Sequence, residues 1–216
     1  MYQGKQILRR LDSNKHRFSG RQRLTTIKNR LQSVLRPFGV KILISQEAGF
    51  EPGDFCVSGY FDITKKRQNI ELILHYHEQY NFFIWLENSW EQFRFLIAQV
   101  LQHELIHRSQ YQYRDDATRK IALYYDIKGT VKSDKEYMDY LSELDEIDAY
   151  AHDIAMEICH YYPKKNPLDV LRTINHKQYL HSYKVYKRTF QGVEDWKDVH
   201  NRLLKKVYEW IPYITI

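Results

Sequence analysis

The chain has 216 residues, 43% of them hydrophobic and 28% charged, which is enough to bury a proper core and suggests one compact domain with extensions. Two cysteines, Cys56 and Cys159, are too few for a disulfide framework and point to a reducing, cytoplasmic setting. The first 15 residues lack an apolar signal region and no uncharged run of 18 residues occurs, so a soluble chain without membrane partners is expected.

The net charge of +6 hides an uneven distribution. Residues 1–36 carry ten Lys/Arg against one acid, residues 37–159 carry 12 against 21, and residues 160–216 carry 11 against five. The basic ends offer a docking surface for nucleic acid or another polyanion, or else pack against the acidic middle. Residues 1–20 are low in apolar content and read as a basic flexible arm.

From residue 21 the pattern becomes helical: Leu24, Ile27, Leu31, Val34 and Leu35 repeat at helix spacing and end before Pro37 and Gly39. Three short runs rich in Val, Ile, Phe and Tyr follow, at 40–45, 55–61 and 69–77, separated by turn residues as strands are. His75 and His77 fall on the same side of the third strand, and with Glu78 they make a second metal site conceivable. Simple alternation on a half-exposed strand explains them as well. A sheet edge in this region would suit an extended peptide bound by strand addition.

The next helix carries Phe93, Leu96, Ile97, Val100 and Leu101 along one face, with Asn88 or Ser89 as cap and Glu91 or Gln92 closing a capping box. It runs into His103-Glu104-Leu105-Ile106-His107. A chain of this composition would produce an HExxH pentad by chance only about 0.03 times. On a helix the two histidines lie one turn apart on one face, which suits two nitrogen ligands of a tetrahedral ion. Glu104 beside them is placed to take a proton from metal-activated water. The plain alternative is a histidine pair without a metal, in which case the buried polar groups need other partners.

A zinc site of this kind needs a third protein ligand. Residues 112–135 read as a loop or lid, after which Ser142 can cap a second helix with an apolar face through Ile147, Ala151, Ile154 and Ile158. By helical angle Glu143 lies nearest that face, and Glu146 lies further round, on the side of Ala149, Tyr150 and Asp153. His152 and Tyr150 are candidates to stabilise an oxyanion, with Tyr111, Tyr113, His176 and His181 competing for the role.

The pentad followed by Glu146-Ile147-Asp148-Ala149 resembles the gluzincin pattern, HExxH with a downstream ExxA helix. It is similar to minimal zincins of the ImmA/IrrE type and to small phage-encoded or bacterial metallopeptidases. The chain departs from the ImmA-type pattern at Tyr150, where that pattern has Asn. The resemblance covers roughly residues 37 to 160 and implies an α+β minimal zincin domain. It implies that His103, His107 and Glu146 bind one Zn2+, with Glu104 the general base of a peptidase acting on a protein or peptide substrate. Glu143 stays the alternative ligand, and a His/His/carboxylate set also suits another divalent metal such as iron.

Beyond this helix Asn166-Pro167 starts another, residues 179–190 are basic and aromatic, and Gly192 precedes a last helix with Trp196, Val199, Leu203, Val207 and Trp210. The expected organisation is an arm (1–20), a zincin-like domain (21–162) and a helical extension packed on it (163–216). No repeat, P-loop or nucleophile motif is present. The class-level alternative to a peptidase is a structural or polyanion-binding protein on a zincin scaffold, phage-associated or otherwise, whose metal is not catalytic.

Overall fold

A computed structural model of the protein describes residues 3–65, 69–85, 89–114 and 133–215. The fold is α+β, and among the described residues the strands lie in the first half and the second half is helical. The chain divides into two compact units, residues 1–126 and 127–216, a boundary far from the expected one after residue 162.

In the first unit, α1 (Gly4–Ser13) and a short 3-10 turn (Lys15–Phe18) lead to β1 (Gln22–Arg23), α2 (Leu24–Leu35), β2 (Val40–Glu47), β3 (Phe55–Phe61), β4 (Ile70–His77), β5 (Phe82–Phe83) and α3 (Ser89–Tyr113). The main sheet has the order β2-β4-β3, with β2 parallel and β3 antiparallel to β4. Period-two alternation sends Val40, Ile42, Phe55, Val57, Leu72, Leu74 and Tyr76 to one buried face. Helix α2 packs against β2, and α3 against β3 and β4. All five apolar positions of α2 are buried, as its spacing predicts. Gly39, at φ 71°, takes the left-handed turn that lets the chain enter β2. The two-residue strands β1 and β5 pair with each other, an element too short to leave a pattern in the sequence.

The start of α3 is seated by aromatic rings. Phe93 has ring neighbours at centroid distances of 5.6 Å (Phe55), 5.5 Å (Phe83) and 5.3 Å (Trp85), with Phe18 and Trp90 just beyond. Such pairs contribute about 0.5–1.5 kcal/mol each beyond their buried area. Ser89 is the first residue of the helix, and Asn88 lies outside the described residues.

Residues 4–13 are not a flexible arm. They form α1, whose Ile7 and Leu11 are completely buried and which packs on α3. The Gln3 backbone N–H donates to Gln102 Oε1 (2.7 Å), and Arg94 bridges to Asp12 at 3.0 Å. Two apolar residues four apart suffice for a one-stripe helix, even in a segment whose average composition is polar. As a result α3 is buried well beyond its predicted stripe, at Phe95, Gln99 and Gln102 too.

The second unit contains α4 (Asp134–Ser142), α5 (Leu144–Tyr161), α6 (Pro167–Arg172), a 3-10 turn (Ile174–His176), α7 (His181–Phe190) and α8 (Trp196–Thr215). Ile147, Ala151, Ile154 and Ile158 of α5 share one core with Tyr183 and Tyr186 of α7 and Val199, Leu203 and Val207 of α8. Helix α5 therefore belongs with the C-terminal helices, which form one body with it and are not an extension packed on a completed domain. Asn166 caps α6 by accepting from the Leu168 N–H at 2.9 Å, with Pro167 in the first turn. Ser142 does not cap α5: its hydroxyl donates to Asp139 O at the end of α4, and Glu143 occupies the cap position. The expected lid at 112–135 lies mostly outside the described residues, with α3 running through Tyr113 and α4 beginning at Asp134. No helix among the described residues is long and apolar enough to cross a membrane.

Candidate metal centre

Helix α3 brings the two histidines of the pentad together. His103 Nε2 and His107 Nε2 stand 3.0 Å apart, with ring centroids at 4.8 Å and planes at 70°. Two nitrogens each about 2.0–2.1 Å from one tetrahedral zinc lie a little more than 3 Å from each other, so the pair fits a metal with only a small adjustment. The remaining ring nitrogen of His107 also fits: Nδ1 lies 3.1 Å from Gln110 Oε1. An amide oxygen only accepts, so Nδ1 carries the proton and Nε2 presents its lone pair. Gln110 sits three residues after His107 on the same helix face, a partner that the sequence reading did not single out.

Glu104 is 7% exposed and lies against β3. The contact depends on Gly59. A Cβ built there would lie 2.7 Å from Glu104 Cγ, 2.8 Å from Glu104 Oε1 and 2.6 Å from Val100 Cγ1. Any side chain at 59 would push the strand off the helix or turn the carboxylate. The constraint is one of space, since Gly59 is not among the glycines with positive φ. Further along α3, half-buried Arg108 donates to Phe38 O at 2.8 Å, and its burial lowers the guanidinium pKa from its ordinary high value. Tyr111 meets Phe61 edge-on at 5.9 Å. Sheet contacts thus hold α3 on both sides of the pentad.

In the second unit, Glu146 lies in the first turn of α5 and is 6% exposed, whereas Glu143, at the cap, is exposed. A buried carboxylate needs compensation, and the helix N-terminus supplies part of it. Ala149 is fully buried one turn on. Tyr150 packs edge-on against Tyr186 at 5.3 Å, and burial pushes both phenol pKa values up. His152 is completely buried, with Nδ1 3.2 Å from Asp153 Oδ1 and its ring 5.2 Å from Trp210. It packs in the interior of the second unit. Tyr113, His176 and His181 are exposed.

The other histidine cluster does something different. His75 Nε2 is 2.7 Å from Ser58 Oγ and His75 Nδ1 is 2.5 Å from Glu47 Oε1, a network across β3, β4 and β2 on the outer face of the sheet. The hydrogen bond from His75 lowers the Glu47 pKa. His77 Nδ1 accepts from the Gln79 N–H at 3.0 Å, and its ring packs on Tyr80. Among the described residues the His75, His77 and Glu78 positions do not form a metal-binding group. The Ser-His-Glu connectivity is that of a nucleophile relay. In an extended strand, however, neighbouring N–H groups point opposite ways along the sheet, so adjacent amides do not converge into an oxyanion hole. The network is read as cross-strand stabilisation.

No family model, no curated protein and no solved structure matches the chain.

Proposed function

We propose that this protein is a metal-dependent peptidase in which His103, His107 and Glu146 hold one divalent ion and Glu104 moves the proton. The observation that carries this reading is the pair of facing Nε2 atoms with Glu104 between them in sequence and held against β3. Each of the three ligand candidates offers one donor atom, two imidazole nitrogens and one carboxylate oxygen. That donor set is the one found in catalytic zinc sites, where a fourth position stays open. Burial favours Glu146 over exposed Glu143 as the third ligand.

Bound there, zinc would supply Lewis acidity, polarising a carbonyl and making water nucleophilic at neutral pH. The protein's own part is orientation and proton transfer. Gln110 fixes the tautomer of His107, and the close approach of Gly59 fixes Glu104. Glu104 takes the proton of the attacking water and returns it to the leaving amine.

The test is hydrolysis of a fluorescent casein and of a quenched-peptide library by zinc-loaded protein, by chelated protein and by Glu104→Gln. Cleavage that is lost on chelation, restored by zinc and reduced about 10²–10⁴-fold in the metal-retaining variant is expected. A zinc-loaded protein that cleaves nothing, or a Glu104→Gln variant as active as the parent, overturns the peptidase reading.

A further inference from the structure

The second unit carries a surface that the peptidase reading does not use. Between residues 158 and 193 there are seven Lys/Arg and a single acid, Asp169. That acid is in an ion pair with Arg172 at 2.9 Å. Glu157, just before the segment, is 2% exposed and accepts from Ser182 N–H and Oγ, so its charge is turned inward. The cations that the structure sets directly beside the rings here are Lys165 and Lys177.

Aromatic rings are set among these cations. Tyr179 is 56% exposed and packs on Tyr161 with centroids 5.9 Å apart. Tyr162 is flanked by two lysines, with Lys165 Nζ 5.7 Å and Lys177 Nζ 5.6 Å from its ring centroid, and Lys164, two residues on, is exposed. The chain brings them together because α5 ends at Tyr161, its C-cap is Tyr162, and the segment before α7 returns past this end. Tyr179 keeps a flat ring face open to solvent, and the two ammonium groups held by Tyr162 repel each other. Both features are complementary to a partner with flat apolar faces and closely spaced negative charge.

We propose that this surface binds single-stranded nucleic acid, with an unpaired base stacked on the outer face of Tyr179 and the sugar-phosphate backbone running past Tyr162 along Lys164, Lys165 and Lys177. A phosphate-only partner would have no use for the exposed ring, and a duplex hides its base faces within the stack. Tyr161 and Tyr179 are in contact with each other, so they form a platform and not a slot. The surface is therefore indifferent to which base it meets.

The experiment is fluorescence anisotropy of a labelled oligothymidylate titrated with the full-length protein over a series of salt concentrations. The same sequence as a duplex, and heparin, serve as competitors. The single strand is expected to bind more tightly than the duplex. Tyr179→Ala should weaken it about tenfold or more with little change in salt dependence, and Tyr179→Trp should retain binding. Lys164, Lys165 and Lys177 changed together to Ala should flatten the slope of log affinity against log salt by about 2, as three lost phosphate contacts on a single strand require. Equal binding of single strand and duplex, displacement by heparin with no effect of Tyr179→Ala, or no binding at all would overturn the proposal. Tyr179 is exposed, so its replacement leaves the fold intact, and unchanged thermal unfolding of the variants checks this.

Discussion

Two histidine pairs in the first unit have nearly the same composition and opposite fates. His103 and His107 are four apart on a helix, and their Nε2 atoms face each other at 3.0 Å. His75 and His77 are two apart on a strand and also share a side, yet each is taken up separately, His75 by Ser58 and Glu47 and His77 by its own turn. Residues four apart on a helix sit about 5–6 Å apart at Cβ and lean the same way. Residues two apart on a strand stand roughly parallel, nearly 7 Å apart, with neighbouring strands in reach of both. Spacing becomes chemistry only through the secondary structure that carries it.

The sharpest way to break this contrast is to remove one histidine from each pair. His103→Ala should abolish stoichiometric metal binding, measured by elemental analysis or zinc titration, and His75→Ala should leave it unchanged. Metal lost with His75, or kept without His103, would reverse the roles assigned to the two pairs. A smaller effect is expected from Gln110→Ala, which frees the tautomer of His107 without touching a ligand. Metal affinity should fall about 10–100-fold, read by competition with a chelating dye, and an unchanged affinity would show that the Gln110 contact is incidental.

Gly59→Ala should lower stability by about 1–3 kcal/mol in a denaturant titration, because the new methyl overlaps Val100 and Glu104. Under the proposed peptidase function, activity should fall further than metal affinity, since the displaced group, Glu104, is the proposed base and not a proposed ligand. Equal stability would show that β3 and α3 have slack at their contact. The smallest effect lies at the other pair. The Glu47 pKa is lowered in the fold, so the carboxylate contributes stability above its unfolded pKa, and this is lost as pH falls through the lower folded value. Glu47→Gln should therefore lower the melting temperature slightly at neutral pH and not at strongly acidic pH. A difference that persists in acid would mean that packing, and not the ion, matters there.

The helix of the pentad and the shared face of its two histidines were legible because both are local: periodicity set the helix, and the helix set the face. The buried stripes of α2, α5 and α8 were legible for the same reason, from Leu24 and Ile27 through Val207. What escaped depends on long-range approach. Nothing within a few residues of Gly59 says that Glu104 will lie against it, and only the antiparallel placement of β3 beside β4 brings it there. Composition misled at α1, where the average over 20 residues concealed the pair Ile7 and Leu11. Truncating either residue should cost about 2–5 kcal/mol, as for other fully buried aliphatic side chains. The difference in burial between Glu143 and Glu146 turned on a cap. Periodicity slightly favoured Glu143, but with Ser142 ending the previous helix, Glu143 becomes the exposed cap residue and Glu146 the buried one.

The central claim is tested most directly by the metal content of the purified protein, taken beside Glu146→Ala and Glu143→Ala. The account predicts about one zinc per chain, retained on changing Glu143 and lost on changing Glu146. A protein that carries no metal and takes up none when zinc is added would contradict it.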